Sequence, residues 1–322
     1  MKRLVNIKDM YKSFFGVVAL DGMNFSLDEG EVRCLVGENG CGKSTMIKII
    51  SGYYTYDEGT LEINEKEYKR ITPAESIAEG IQVIYQDFSL FDNMTVAENI
   101  LMYSTVADRK LLISNRKIRQ KAVETLNRIN VDIDPDAYVS TLSVSQKQLV
   151  AICRALAQDC RLLVMDEPTT ALTTHEVEKL FEIVKELKRQ NVAVIFVSHK
   201  LEEVLEICDS ITIMRGGKNV YDGRTSERVL SKEEIIYYMT GKQFSDKSFE
   251  FEPTGKRPLL EVKGYTLAGA FEDITFSIEN GEILGVTGIL GCGRSELAES
   301  LFGVLPADSG SVTLDEPIEL EI

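Results

Sequence analysis

The chain has 322 residues, 44% of them hydrophobic, which allows one large domain or two ordinary ones with packed cores. A net charge of −15 and a pI near 4.8 give no basic field to draw in DNA, RNA or anionic lipid, so nucleic acid is disfavoured as a partner. Six cysteines (Cys34, Cys41, Cys153, Cys160, Cys208, Cys292) lack C-x-x-C spacing and read as reduced thiols; the basic Met1-Lys2-Arg3 opens no secretory leader, and no apolar run approaches the ~18 residues of a membrane span.

Short β-like runs, Leu4 to Ile7, Met23 to Leu27 and Val32 to Val36, are broken by Gly16, Gly22 and Gly30. The last runs into Gly37-Glu38-Asn39-Gly40-Cys41-Gly42-Lys43-Ser44, which fits G-x-x-x-x-G-K-[ST] and is followed by Thr45 and a helix-like stretch to Ile50. Strand, glycine-rich loop and helix are the context in which backbone N–H groups can converge on phosphate oxygens at the positive end of a helix. In that setting Lys43 reaches the β- and γ-phosphates, and the Ser44 hydroxyl is a ligand for Mg²⁺.

Thr60 to Ile63 with Glu67 to Tyr68 reads as a hairpin, 73 to 79 as a helix, and Ile81 to Tyr85 as a buried strand ending at Gln86. From Thr95 to Ala157 the pattern is mainly helical, with a helix starting near Ser143. Leu162 to Met165 is an apolar strand running into Asp166-Glu167, 175 to 190 an amphipathic helix, Ala193 to Val197 a buried strand ending at Ser198-His199, and Ser210 to Arg215 another strand. Alternating buried strands and helices imply an α/β fold with a parallel sheet covered on both faces, whose ligands collect at the carboxyl ends of the strands. Gln86, Asp166, Glu167 and His199 all fall at such ends. An Asp-Glu pair after a strand is commonly only a solvated turn, and a lone His a surface residue; a phosphate loop upstream turns Asp166 into a candidate metal ligand and Glu167 into a candidate base for an attacking water.

Gly241 to Pro258 lacks periodicity and reads as a linker. Beyond it, an offset of 251 lays Phe276-Ser277 on Phe25-Ser26, Gly281-Glu282 on Gly30-Glu31, Gly288 on Gly37, Gly303 on Gly52 and Gly310 on Gly59. Residues 259 to 322 therefore read as the opening of a second copy, whose loop ends in Gly293-Arg294-Ser295, with Arg294 where Lys43 stands. Counterparts of Gln86, Ser143, Asp166 and His199 fall past residue 322, so the second copy is expected to carry only its phosphate-loop third.

In this order the residues resemble the ATP-binding cassette ATPases. Leu142-Ser143-Val144-Ser145-Gln146 resembles the family's signature segment, Gln86 its Q-loop, Leu162 to Glu167 its Walker B strand with the catalytic glutamate, and His199 its switch histidine. Phe14 is similar to the aromatic that stacks on adenine. The resemblance implies a P-loop fold with a mixed sheet and a helical subdomain (about 95–157), a first cassette over 1–240, a linker over 241–258, and ATP with Mg²⁺ as ligands. It implies catalysis by Glu167, His199, Lys43 and Gln86, metal ligation by Ser44, Gln86 and Asp166, and nucleotide contacts from Phe14, the loop Gly37 to Thr45, Ser143, Ser145 and Gln146, with Arg294 and Ser295 in the second copy. The tandem layout, the run Glu167 to Thr173 and Arg294 narrow the likeness to ATPases of bacterial monosaccharide importers of the ribose, galactose and xylose type. Val144 and Ser145 in place of two glycines, and Thr173 in place of an Asp, are similar to those members. The implied partners are transmembrane permease subunits, a second ATPase chain or the remainder of the second cassette, and, indirectly, a periplasmic sugar-binding protein. The implied location is the cytoplasmic face of the plasma membrane. A soluble tandem ATPase acting on ribosomes or DNA, or a nucleotide-binding assembly subunit that does not cycle, is the alternative; the short linker and Arg294 count against the ribosomal type.

Overall fold

A computed structural model describes residues 2–85, 87–107, 114–243, 258–289 and 291–314, the side chains of 103–107 excepted. The chain divides into two compact units, Met1–Phe244 and Ser245–Ile322. In the first, β1 (Arg3–Phe14) and β2 (Val17–Asp28) form a long antiparallel hairpin, and β3 (Val32–Gly37) leads through the glycine-rich loop into α1 (Lys43–Ile50). β4 (Glu58–Ile63) pairs with β1, β5 (Lys66–Glu67) extends that edge, and α2 (Pro73–Ala78) is started by a capping box between Thr72 and Glu75. After β6 (Ile81–Ile84) come three helices, α3 (Val96–Ala107), α4 (Asn115–Arg128) and α5 (Val144–Leu156). β7 (Leu162–Asp166), α6 (Thr174–Arg189), β8 (Ala193–Val197), α7 (Leu201–Ile207) and β9 (Ser210–Arg215) resume the alternation, and β10 (Lys218–Arg224) and α8 (Lys232–Thr240) complete it.

Two sheets result. The first is antiparallel, in the order β2-β1-β4-β5; the second runs β10-β9-β3-β8-β7-β6. Five strands of the second sheet are parallel, and β10 is antiparallel because Gly216 and Gly217, at φ 57° and 79°, close a tight hairpin with β9, so the sheet is mixed as the resemblance implies.

The central parallel strands β7 and β8 are almost wholly apolar because both faces are covered. Cys34, Val36, Leu163, Met165, Val194 and Phe196 pack with Val150, Val184 and Val204 of α5, α6 and α7. The alternate residues Leu35, Leu162, Val164, Ile195 and Val197 pack with Met46 and Ile49 of α1 and with the antiparallel sheet. The loop at the end of β3 is thus anchored from below by a helix whose Met46, Ile47, Ile49 and Ile50 are no more than 1% exposed, each side chain contributing roughly 1.5–3 kcal/mol by burial.

The second unit consists of β11 (Leu260–Leu267), β12 (Phe271–Ile278), α9 (Arg294–Leu301) and β13 (Ser309–Leu314), with sheet order β12-β11-β13. α9 and β13 lie 251 residues after α1 and β4 with identical lengths. The hairpin is different. Ile7 faces Phe25 across the first hairpin, a span of 18 residues, whereas Val262 faces Phe276, a span of 14. Ala268-Gly269-Ala270 stands in place of Ser13 to Ala19, so the second hairpin has no counterpart of Phe14. Residues 283–288 also differ from β3: they form no strand among the described residues, with Ile283 and Val286 76% and 56% exposed. β3 is held by β8 and β9, and the described part of the second unit supplies neither equivalent.

Candidate functional site

The loop Gly37 to Ser44 is shaped by close approaches that exclude a side chain. A Cβ on Gly37 would meet the Cys41 sulfur at 2.5 Å, and one on Gly42 would lie 2.5 Å from the Ala19 carbonyl oxygen. Gly288 against Cys292 and Gly293 against Ala270 repeat both contacts, at 2.4 and 2.3 Å. Gly42 caps α1 in a left-handed conformation with no side-chain acceptor, and no acidic residue lies in the first turn. The helix N-terminus therefore keeps unsatisfied N–H groups and partial positive charge, the arrangement that suits phosphate. Lys43 spans the loop, its ammonium donating to the carbonyls of Gly37 at 2.7 Å and Glu38 at 3.0 Å. Glu38, Asn39, Gly40 and Ser44 are exposed, Cys41 is buried, and Thr45 is half-buried.

β7 brings Asp166 to the same edge. A pocket of about 230 Å³ is lined by Ser44, Ile47, Lys48, Tyr85, Asp87 and Asp166, so the serine and the aspartate singled out as metal ligands share one cavity. Gln86, the third, lies outside the described residues. Burial pushes the Asp166 carboxyl above its ordinary range and Glu167 adds to the rise, while Lys43 and Lys48 oppose it. A larger groove of about 560 Å³ runs between α5, α6 and residues 129–133; its mixed polar and apolar walls include Ser145 and Gln146 but neither the loop nor Asp166, so it is not the phosphate site.

Glu167 follows Asp166 with φ 49°, a left-handed backbone that costs roughly 1–2 kcal/mol for a residue with a Cβ. Its N–H donates to Val197 at 3.0 Å, continuing the ladder to β8, and the chain then turns away. At the end of β8, the Nδ1 of His199 lies 3.3 Å from Oε1 of Glu167. Glu167 and His199, 32 residues apart in sequence, thus form a side-chain pair.

Phe14 is half-buried at the hairpin tip, edge-on to Tyr54 with centroids 5.0 Å apart and with the Lys12 ammonium 5.0 Å from its ring; neighbouring Phe15 is fully exposed. Ser143 caps α5: its hydroxyl accepts from the Gln146 N–H at 3.3 Å, and the Gln146 amide oxygen accepts from the Ser143 N–H at 3.0 Å. Ser145 lies 2.9 Å from the Ser143 hydroxyl. These three residues sit at a helix N-terminus and line no part of the 230 Å³ pocket. In the second unit, Arg294 and Ser295 are exposed in the first turn of α9, again behind a left-handed glycine, Gly293.

Sequence reasoning missed Glu203. This carboxylate on α7 is 8% exposed and accepts hydrogen bonds from Thr169 at 2.6 Å and Ser198 at 3.0 Å, residues beside Glu167 and His199. One of three glutamates on a seven-residue helix, Glu203 gives no sequence signal.

Known proteins resemble this arrangement. The family model described as ABC transporter matches residues 20–170 and 271–321. A ribose import ATP-binding protein of Bacillus licheniformis is 38% identical over 311 residues, 97% of this chain and 63% of that protein. A putative ribose/galactose/methyl galactoside import ATP-binding protein of Burkholderia lata is 40% identical over 98% of this chain and 60% of its own length. The chain thus spans about three fifths of these relatives. Among solved structures, an ATP-binding cassette of an ABC transporter in its ADP conformation superposes with TM-score 0.63 at 28% identity, over 74% of this chain and 94% of that one. A dimeric post-hydrolysis cassette bound to ADP and phosphate gives 0.61 at 26% identity, over 69% and 98%. With a family model falling on both copies of the repeat and covering more than half of the residues, the chain belongs to the ABC transporter family.

Proposed function

We propose that the chain is the ATP-binding and ATP-hydrolysing subunit of an importer of monosaccharides of the ribose and galactose type. The observation that carries this reading is that Ser44, the last residue of the loop, and Asp166 line one pocket, with the Glu167–His199 pair at the neighbouring strand ends. The loop N–H groups and Lys43 hold the triphosphate, and Phe14 stacks on the base. Ser44 and Asp166, two oxygen donors on one pocket, would hold Mg²⁺. When bound, Mg²⁺ neutralises charge building on the phosphates.

Glu167 orients and polarises a water that attacks the γ-phosphorus; the P–O bond to ADP breaks, and the water's proton passes toward the carboxylate. An imidazole with its hydrogen on Nδ1 donates to Glu167 and fixes the carboxylate's rotamer. Ser143, Ser145 and Gln146 present a capped helix N-terminus to the γ-phosphate of a facing cassette, supplied by a second chain or by the remainder of the second copy. That copy, with Arg294 in the loop and no counterpart of Phe14 at its hairpin, has weaker means of holding a nucleotide. Closure and reopening of paired cassettes drive permease subunits at the cytoplasmic face of the membrane. Relatives named as ribose or ribose/galactose import ATP-binding proteins support the substrate class.

The test is Mg²⁺-dependent ATP binding by calorimetry and phosphate release with and without the permease subunits encoded alongside. Binding is expected in the parent chain and abolished by Lys43→Ala; turnover is expected to be slow for the chain alone and faster with its partners. Lys43→Ala binding ATP like the parent would overturn the assignment of the loop.

A further inference from the structure

Glu203 is a buried carboxylate with three polar partners, all from the segments that carry the Glu167–His199 pair. Its Oε2 accepts from the Thr169 hydroxyl at 2.6 Å and the Ser198 hydroxyl at 3.0 Å, and its Oε1 lies 3.2 Å from the Lys200 ammonium. Lys200 in turn donates through Nζ to the Thr169 carbonyl at 3.0 Å and through its backbone N–H to the Ser198 hydroxyl at 3.0 Å. Thr169 and Ser198 are 2% and 3% exposed, so water does not compete for these bonds.

The positions of the partners in the chain matter. Thr169 stands two residues after Glu167, across Pro168, and Ser198 immediately precedes His199. The contacts therefore close a ring: Glu167, Pro168, Thr169, Glu203, Ser198, His199 and back to Glu167 at 3.3 Å. One carboxylate oxygen joins the two loops on the side away from the pair. Glu167 also has a left-handed backbone, a conformation that persists only where its surroundings over-determine it. The Thr170 hydroxyl bonded to the Glu167 carbonyl at 3.2 Å and the Thr169–Glu203 bond are the restraints that follow it. A buried charge is not a cheap source of stability, since an apolar residue of similar volume packs at lower cost; retaining one here indicates a geometric task.

We propose that Glu203 is a positioning residue of the hydrolytic site, latching the Thr169 and Ser198 segments together and so holding His199 in register with Glu167. The inference rests on the reading in which Glu167 and His199 perform the chemistry. Glu203 acts through the pair, by its bonds to Thr169 and Ser198.

The chain's only histidines are His175 and His199, so their ring resonances are separable by NMR, with exposed His175 as an internal control. In the parent, Glu167→Gln shifts the His199 resonances; in Glu203→Ala it leaves them unmoved, because the pair is out of register. Glu203→Ala lowers the single-turnover rate of ATP hydrolysis by about 10- to 100-fold with ATP affinity within about threefold, while Glu203→Gln, which keeps one acceptor, recovers at least about half of that loss on a logarithmic scale. Combined with His199→Ala, the further loss from Glu203→Ala shrinks to under about twofold, the non-additivity expected of groups acting as a unit. Should Glu203→Ala not fold, Thr169→Val and Ser198→Ala remove the two arms singly and are read by the same resonances. Additive losses in the cycle, or a His199 response to Glu167→Gln that survives removal of the latch, overturn the proposal. If instead Glu167→Gln and His199→Ala both hydrolyse ATP normally, the catalytic reading is what fails, while the resonances still report whether the latch exists.

Discussion

Gly42 and Gly40 both lie in the phosphate loop with positive φ, 109° and 81°, yet their surroundings differ. A Cβ on Gly40 meets nothing within 4 Å; one on Gly42 lies 2.5 Å from the Ala19 carbonyl oxygen, 2.9 Å from the Leu20 side chain and 3.2 Å from the Met214 methyl. Gly40→Ala incurs only the left-handed penalty, roughly 1–2 kcal/mol, and a loop that keeps its path keeps its N–H groups aimed. Gly42→Ala incurs the same penalty plus an overpacking cost of about 1–3 kcal/mol, because the nearest obstacle is backbone fixed in the β1–β2 hairpin. The least costly relief is for the loop to swing off that hairpin, which spoils the convergence on phosphate. An affinity loss equal to the steric cost alone, ~2 kcal/mol, is about 30-fold. Titration of a fluorescent ATP analogue should give Gly40→Ala within about fivefold of the parent and Gly42→Ala weaker by about 30-fold or more. Equal affinities for the two variants would refute this account of how the loop is held.

Further outcomes follow from the same geometry. Asp166 is a carboxyl whose folded-state pKa is raised, so in the nucleotide-free protein its ionisation opposes folding: the penalty is fully present above the folded pKa and vanishes below the unfolded value, about 4. Asp166→Asn should therefore raise the melting temperature at pH 7, with the gain shrinking as pH falls toward 4, and should remove the stabilisation that Mg²⁺-ATP gives the parent; a gain independent of pH would contradict the cause assigned. Five of the six cysteines are buried, and burial pushes Cys153 and Cys160 up to about 12. A maleimide should label the native chain once, at Cys292, with the other five reacting only on unfolding; rapid native labelling at a second thiol would show the core to be looser than described.

Much of the first unit is legible from its sequence because its parallel strands are buried on both faces. Ala193–Val197 is a continuous apolar run and Ser210–Arg215 a run with apolar Ile211, Ile213 and Met214, and the observed bounds of both coincide with the sequence reading. β1 and β2 extend well beyond the apolar runs Leu4 to Ile7 and Met23 to Leu27, because pairing continues through Lys8 to β4 and through Lys12, Ser13 and Phe14 to β2, residues that are exposed or half-buried. β10, α7 and α8 carry short or polar patterns that pairing and tertiary contacts organise. The glycines that fix the 251-residue offset all lie after the second hairpin, so they could not reveal the four-residue contraction that removes the counterpart of Phe14; strand register does. The loop and the strand-end residues were visible because phosphate chemistry restricts residue types and spacing. Glu203 was not, because its role depends on two hydroxyls brought together by strands 30 residues apart.

The central claim is that Glu167 acts on water after ATP is already held by other groups. Glu167→Gln keeps the side chain's shape and removes its charge. Single-turnover hydrolysis and ATP affinity, measured on the same preparation, test the claim directly: affinity should stay within about threefold while the hydrolysis rate falls at least about 100-fold, the range expected for loss of a general base. Hydrolysis at the parent rate, or loss of binding together with turnover, would contradict it.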